Sequence, residues 1–564
     1  MVQDSKLFGE ILDFCSCVAD ADRILAACIC GDYALGFSDA KGFVEVLLIV
    51  RGFQPKLMNY LKVFGKRSVV VLVVDQGVFE MDVERGFLGE AFASGLLFPY
   101  IALVNKDYLR FQEVKLKKRL ILELLENLVL AFPELSYEFH IKPEYFLYET
   151  ILSRARLFPP MLSNVFNFMR KDVKKRNVRS SLKGYLEALK DLEGENVINF
   201  SDGYVKICKE FVDKAKSRKV RFTSLFKTAQ RALFASLLGI FPKTLGFLSQ
   251  NREVFSRVQK FSKDDSKTIH EIEEPQSYLY VPTASGLVPL ASKVDIETFA
   301  RKVLCAGEDV KVEVEEIGGV LNDVYLVRAS GNGVERKIVV KSFRDWSSFK
   351  WFPLTLWTFG TRTFAVSGLS RLERECAISQ LLHSKGFAVP KIFHVSHGKR
   401  LIFMEYAEGE SLNKVVKRIL ASKSVGDVAK DLEVVRRVGE EFAKIHALGI
   451  ALGDTKPENI LIGNNGAIYF LDFEQASRNG DKVWDIAEFL YYAGHYASPL
   501  VGIRPPQLIA EAFIKGYLAA GGDAKIVKDA GKPKYTKVFS VFTLPHVMLV
   551  ISNTCRKADK LKKG

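Results

Sequence analysis

Apolar positions along this 564-residue chain recur at two periods, and the switches between them lay out its elements. Residues 6–19 carry a helical period, while Ile24 to Ile29 and Val44 to Val50 are continuous apolar runs of strand length. Ser68 to Val74 and Pro99 to Val104 repeat the strand signal, and Lys115 to Leu130 returns to helical spacing. Strands alternating with helices make residues 1–140 an α/β domain. Residues 141–260 are mostly helical in pattern. Within them Phe222 to Leu248 is strongly apolar but interrupted at Pro242, too broken to span a bilayer. It reads as core helices, with a helix lying in a membrane interface as the alternative. Residues 261–296 turn polar and acidic and pass through Pro282 and Pro289, which places an interdomain linker there.

From residue 297 the pattern changes again. Lys311 to Gly319 reads as strand and turn, Asp323 to Ser330 as a second strand, and Arg336 to Phe343 as a third. Arg371 to Gly386 is a helix ending, as helices prefer, at a glycine. Val389 to Tyr406 gives two strands meeting a hinge at Met404 to Ala407, and Val434 to Leu448 gives a further helix. Between Phe343 and that first helix lies Arg344 to Ser370, with Trp346, Trp351, Trp357 and several phenylalanines. A lid, a docking surface and ordinary core packing are all open for it.

Composition is globular, with 48% hydrophobic and 26% charged residues. The amino terminus is polar and mixed in charge, unlike a signal peptide, and no apolar run is long enough for a membrane span, so the expectation is a cytoplasmic protein. Eight cysteines make no disulfide framework in a chain this long. Cys15 and Cys17, and Cys28 and Cys30, are pairs spaced two apart, a spacing that on a helix turns the two thiols to different sides, and buried thiols are expected rather than a zinc site. The formal charge of +15 is concentrated. Residues 151–260 hold 23 Lys and Arg against 9 Asp and Glu, and Arg170 to Arg179 and Lys214 to Arg221 are its dense runs. A polyanion such as RNA is the natural partner, with a solvated helix face the plain alternative.

The chemistry gathers in Gly453 to Leu461, followed by the turn Gly463-Asn464-Asn465-Gly466 and a strand ending at Asp472-Phe473-Glu474. Phosphoryl transfer needs a carboxylate for the attacking hydroxyl and an amide plus a second carboxylate for Mg²⁺. Asp454, Asn459 and Asp472 supply that set, with the hairpin returning Asp472 to the same metal. These segments resemble the catalytic and metal-binding loops of the protein-kinase-like superfamily. The short first turn, with only Gly318 and Gly319, is similar to that of the RIO and KEOPS-complex kinases. The resemblance implies ATP and Mg²⁺ as cofactors and a bilobal domain over residues 297–564. It makes Asp454 the base and Lys456 a charge stabiliser for the moving phosphoryl group. It also makes Asn459 and Asp472 metal ligands, and Lys341 the phosphate-binding lysine, aligned by Glu375 (Glu373 being the alternative). Backbone groups of Glu405 and Ala407 then meet adenine, and Asp485 anchors the catalytic loop.

Departures refine this. Leu452 stands where a histidine is usual, and no Ala-Pro-Glu segment closes an activation loop. Glu474 replaces the usual glycine, as in aminoglycoside and choline phosphotransferases. Gly31 to Asp39, followed by Val44 to Val50, resembles the nucleotidyltransferase fold in a degenerate form. Asp32 occupies a phosphate-contacting position and Phe43 that of the first metal carboxylate, leaving Glu45, with Asp82 or Glu80 as a third acid.

The expectation is therefore an α+β multidomain protein. It comprises a nucleotidyltransferase-like α/β domain (1–140), a basic helical domain (141–260), the linker, and a kinase-like domain. Its expected activity is an atypical serine/threonine kinase or ATPase, phosphorylating a protein or itself, with RNA, tRNA or a ribonucleoprotein recruited through residues 151–260. The tail Lys557 to Gly564 is basic, as is the KEOPS-complex kinase's tail that works near tRNA. Alternatives are a small-molecule phosphotransferase, an RNA nucleotidyltransferase and an ATP-gated scaffold.

Overall fold

The computed structural model describes residues 2–36, 43–64, 67–157, 162–217, 274–299, 311–318, 322–331, 334–343, 367–422, 426–498, 502–540 and 542–561. Several sequence features lie outside them. These are Phe222 to Leu248, most of the tryptophan-rich stretch, Gly319, and parts of the basic run Lys214 to Arg221, of the linker and of the tail. The chain forms two compact units, Met1–Tyr280 and Val281–Gly564.

The first unit is built on β1 (Ile24–Cys30), β2 (Phe43–Val50), β3 (Leu57–Phe64), β4 (Arg67–Asp75) and β5 (Ile101–Val104), in the order β3-β4-β2-β1-β5. β2 and β4 run parallel, from Phe43 opposite Ser68 to Val50 opposite Asp75, and the other pairs are antiparallel. The continuous apolar runs are the central strands, whose residues are almost wholly buried. β3 escapes sequence detection because it lies at the sheet edge and exposes Met58, Leu61 and Val63.

Helix Lys106–Ala131 begins at Asn105, whose side chain accepts the Tyr108 N–H at 3.2 Å. Helices Pro143–Leu157 and Lys174–Gly194 pack against it. Lys117 on this helix is fully buried, donating to Glu113 Oε1 at 2.6 Å and to the Ser181 carbonyl at 2.8 Å. Gly184 makes that approach possible, since a Cβ there would run into Glu113 and Lys117. A smaller sheet follows, β6 (His140–Ile141), β7 (Ile198–Ser201), β8 (Tyr204–Ile207) and β9 (Leu279–Thr283), ordered β9-β6-β8-β7. The division between units falls inside β9.

In the second unit β10 (Gly286–Pro289) precedes a five-stranded antiparallel sheet. Its strands are β11 (Lys311–Gly318), β12 (Asp323–Gly331), β13 (Val334–Ser342), β14 (Ile392–Ser396) and β15 (Leu401–Glu405), ordered β11-β12-β13-β15-β14. Helix Gly368–Ser384 accompanies it. Residues 281–296, the later part of the 261–296 linker read from composition, belong to this unit, as does Phe299 just beyond them. Ala284 N–H donates to the Ile392 carbonyl at 2.8 Å, and Phe299 stacks on Phe403 at 4.2 Å between ring centres. Polar composition concealed the few apolar residues that anchor the stretch.

The helical lobe contains helices Leu412–Ala421, Ala429–Ala447, Lys482–His495, Arg504–Ala519 and Pro545–Arg556 around one core. Small hairpins join them: β16 (Gly409–Ser411), β18 (Ile460–Gly463) and β19 (Ile468–Phe470) form one sheet, and β17 (Ile450–Ala451) pairs with β20 (Ser477–Arg478). Helices Ala429–Ala447 and Arg504–Ala519 cross so closely that a Cβ on Gly439 or Gly516 would strike the partner's backbone. Among the described residues no helix is long and apolar enough to cross a membrane.

Candidate active site

Lys341 lies on β13 opposite Val324 and Ile402, in the middle of the sheet. Its Nζ is 2.8 Å from Glu375 Oε1, 3.1 Å from the Leu471 carbonyl and 3.3 Å from Asp472 Oδ1. Burial works against its charge, but the carboxylates of Asp472 and Glu375 outweigh burial and hold the ammonium well above its usual range. Glu375 sits on helix Gly368–Ser384, and its second oxygen accepts the Phe473 N–H at 2.6 Å. Glu375, rather than Glu373, thus ties the lysine to the loop that carries Asp472.

The loop Gly453 to Asn459 is fixed from below by helix Lys482–His495. Asp485 accepts the N–H groups of Leu452 and Gly453 at 2.6 and 2.8 Å. Glu488, one turn on, accepts the Thr455 N–H at 2.9 Å, while the Thr455 hydroxyl donates to the Asp485 carbonyl. Gly453 takes a φ of 82°, a left-handed conformation open to glycine. Asp454 Oδ1 meets Lys456 Nζ at 3.0 Å, and that ammonium also lies over the Tyr492 ring, 5.4 Å from its centre. Burial disfavours the Lys456 charge, yet Asp454 and Glu488 raise it well above its usual range.

Asn459 donates its amide N–H to the Asp454 carbonyl at 3.1 Å, which leaves its Oδ1 as the side chain's acceptor. With the partly exposed Asp472 carboxylate this is an oxygen pair of the kind Mg²⁺ takes when substrate phosphates and waters complete its shell. Gly318 ends β11 opposite Val324. The Glu405 N–H is occupied by the Lys391 carbonyl at 2.9 Å, and Ala407 follows the end of β15.

Sequence reasoning missed three features. His446 faces Asp485 Oδ2 at 3.0 Å through Nε2 and the Tyr517 hydroxyl at 2.9 Å through Nδ1. The support that Leu452 cannot give thus comes from the preceding helix. Glu488 is a second acid on the anchoring helix, legible only as three residues beyond Asp485. Glu474, standing where glycine is usual, is buried against Arg371 and Asn322. Its carboxylate is therefore committed away from the metal role that a second acid in this loop suggests.

The first unit corrects several expectations. Gly31–Leu35 is a short helix rather than an open turn, and Asp32 accepts a 2.8 Å bond from Asn167. Asp82 is buried and accepts N–H groups from Leu88, Glu90, Phe92 and Ala93, a structural role that occupies both oxygens. Glu80 receives Gln76 and Tyr108. The strand parallel to β2 offers only Ser68, Val69 and Val70 beside Phe43 to Glu45. Within the basic run, Lys171, Lys175, Arg176 and Arg179 are exposed, and Arg176 also donates to the Leu35 carbonyl at 2.7 Å. Cys15, Cys17, Cys28 and Cys30 are free thiols, with Cys28 and Cys30 sulfurs 3.6 Å apart in the core.

Residues 373–495 match the ABC1 atypical kinase-like domain. The KEOPS complex subunit Bud32 of Pyrococcus abyssi is 33% identical over 103 residues, 18% of this chain and 43% of the relative. A probable serine/threonine-protein kinase BUD32 homolog of Archaeoglobus fulgidus is 29% identical over 163 residues, 29% of this chain and 73% of its own. The MAP kinase kinase kinase win1 of Schizosaccharomyces pombe is 30% identical over 125 residues, 22% of this chain and 8% of its own. The chain thus spans less than half of the first of these relatives, and residues 373–495, the segment that the family model matches, lie in the second unit, a kinase-like C-terminal region.

Proposed function

We propose that this protein, whose second unit is an atypical protein-kinase-like domain, is an ATP- and Mg²⁺-dependent phosphotransferase of the atypical kinase or ATPase type. The observation that carries the reading is the Lys341 ammonium held at once by Glu375 and Asp472, the engaged arrangement of a nucleotide site.

Lys341 pairs with the α- and β-phosphates of ATP, near which Gly318 and Gly319 are placed by their position in the sequence. Asn459 and Asp472 hold Mg²⁺, which offsets phosphate charge when bound. Asp454 orients the acceptor hydroxyl and takes its proton as the new O–P bond forms and the bond to ADP breaks. Lys456, close enough to Asp454 to share the site, faces the charge of the transferred group. The favoured acceptor is a serine or threonine hydroxyl, including the protein's own, with water as acceptor giving an ATPase. The burial of Glu474 against Arg371 removes one argument for a small-molecule phosphotransferase. RNA or a ribonucleoprotein, engaged through the basic segment 151–260, is the proposed target.

Transfer of labelled γ-phosphate tests the reading, comparing the natural protein with Asp454→Ala, with and without RNA. Label on protein that the variant loses identifies a kinase, and free phosphate that the variant no longer releases identifies an ATPase. Equal inertness of both proteins would overturn the reading in favour of a scaffold.

A further inference from the structure

Three buried polar side chains beside the site take no part in the chemistry above. Arg371, with no exposed surface, donates through Nη1 to Asn322 Oδ1 and, at 3.2 Å, to Glu474 Oε2. Asn322 in turn donates through Nδ2 to the same Glu474 oxygen, which closes a triangle. Its corners come from three distant segments. Asn322 immediately precedes β12, Arg371 lies one helical turn before Glu375, and Glu474 follows Asp472 by two residues.

Burying a guanidinium and a carboxylate costs desolvation energy that a pair of well-packed apolar residues would not incur, so fold stability alone gives little reason for the pair. What the triangle does is fix geometry. Each segment it joins bears on the nucleotide site: β12, whose Val324 lies opposite Lys341, the helix of Glu375 with its lysine, and the loop of Asp472. The extended glycine-rich sequence that holds phosphates through backbone N–H groups in ordinary protein kinases is absent here, with only Gly318 and Gly319 between the first two strand segments. A side-chain tie to the start of β12 supplies a restraint in its place.

We propose that Asn322, Arg371 and Glu474 form a positioning clamp that holds the start of β12, the Glu375 helix and the Asp472 loop in one arrangement and thereby sets affinity for the triphosphate. The proposal rests on the phosphotransferase reading. None of the three touches the reacting atoms, so their loss acts on nucleotide binding before it acts on the chemical step.

Asn322→Ala leaves the Arg371–Glu474 ion pair in place, so the fold is preserved. Its effect is read with full-length protein as KM for ATP, kcat, the Kd of a fluorescent ATP analogue, and Tm. The expected result, with both hydrogen bonds of Asn322 to charged groups lost, is a rise of about tenfold in KM and Kd with kcat changed less than about twofold. Glu474→Gln is expected to act on the same parameter. The double variant should then fall well short of the product of the single effects, as for groups in one network. Unchanged KM and Kd in every variant, with only Tm lowered, would overturn the clamp and leave the phosphotransferase reading standing. Failure of the natural protein to bind or turn over ATP would overturn both.

Discussion

Glu375 uses its two carboxylate oxygens on two different elements: Oε1 lies 2.8 Å from Lys341 Nζ on β13, and Oε2 accepts the Phe473 N–H at 2.6 Å. One side chain thereby joins sheet, helix and metal-binding loop. Lys341→Met should abolish turnover and also destabilise the protein by about 3 kcal/mol, because it strands a buried carboxylate. Adding Glu375→Leu should restore most of that stability without restoring activity. Denaturant unfolding and ATP turnover of the two variants check this, and recovery of both together would show the pair to be structural only.

The catalytic loop depends on two acids of one helix. Asp485→Ala leaves the Leu452 and Gly453 N–H groups and His446 without their acceptor, and should cost activity and about 3 kcal/mol of stability together. Glu488→Gln keeps an acceptor for Thr455, so kcat should fall only a few-fold with KM for ATP unchanged. Steady-state kinetics and thermal unfolding separate the two cases.

Acid should weaken the second unit through His394. Burial holds this imidazole below its ordinary value of 6.5, and its neighbours Ser292, Phe299 and Phe403 are uncharged. As pH falls through 6.5 the unfolded chain takes up a proton that the folded chain refuses, so stability drops. Unfolding curves at pH 7.5 and about 5.5 should show a smaller loss in His394→Gln than in the natural protein.

In the first unit, Gly184→Ala pushes a methyl group into Glu113 and Lys117 and should cost about 1–3 kcal/mol. Chemical denaturation of the variant measures it directly, and a neutral substitution would mean that the two helices separate easily.

RNA binding, if it runs through the basic segment, should weaken steeply with salt. Replacing the exposed Lys171, Lys175 and Arg179 by glutamate should lower affinity for a single-stranded RNA. It should also flatten the plot of log K against log salt by about 0.7 for each phosphate that is no longer neutralised. An unchanged slope would assign these residues to a solvated face.

The elements that chemistry constrains were the most legible in the sequence. Lys341 announced itself on an apolar strand, and Asp454 to Asn459 and the hairpin to Asp472 carried a fixed spacing that survives without neighbours. What stayed hidden depends on partners far along the chain. Asn322 is 49 residues from Arg371 and 103 residues separate Arg371 from Glu474, so no local pattern links them. His446 looked like one residue of a helix, and its meeting with Asp485 is made by packing. β3 was missed because an edge strand exposes apolar residues that periodicity assigns to neither face. Residues 281–296 were read by their polarity, while Ala284 and Ser292 within them bond to Ile392 and His394, and Phe299 just beyond packs on Phe403.

The most direct measurement is ATP turnover and ATP affinity determined side by side for the natural protein and Asp454→Asn. The account predicts that both bind ATP with Mg²⁺ alike, while phosphate release or transfer falls about 10²–10⁴-fold in the variant, the loss of one positioned base. Turnover by Asp454→Asn equal to that of the natural protein would contradict it, because the proton of the acceptor would then be leaving by another route.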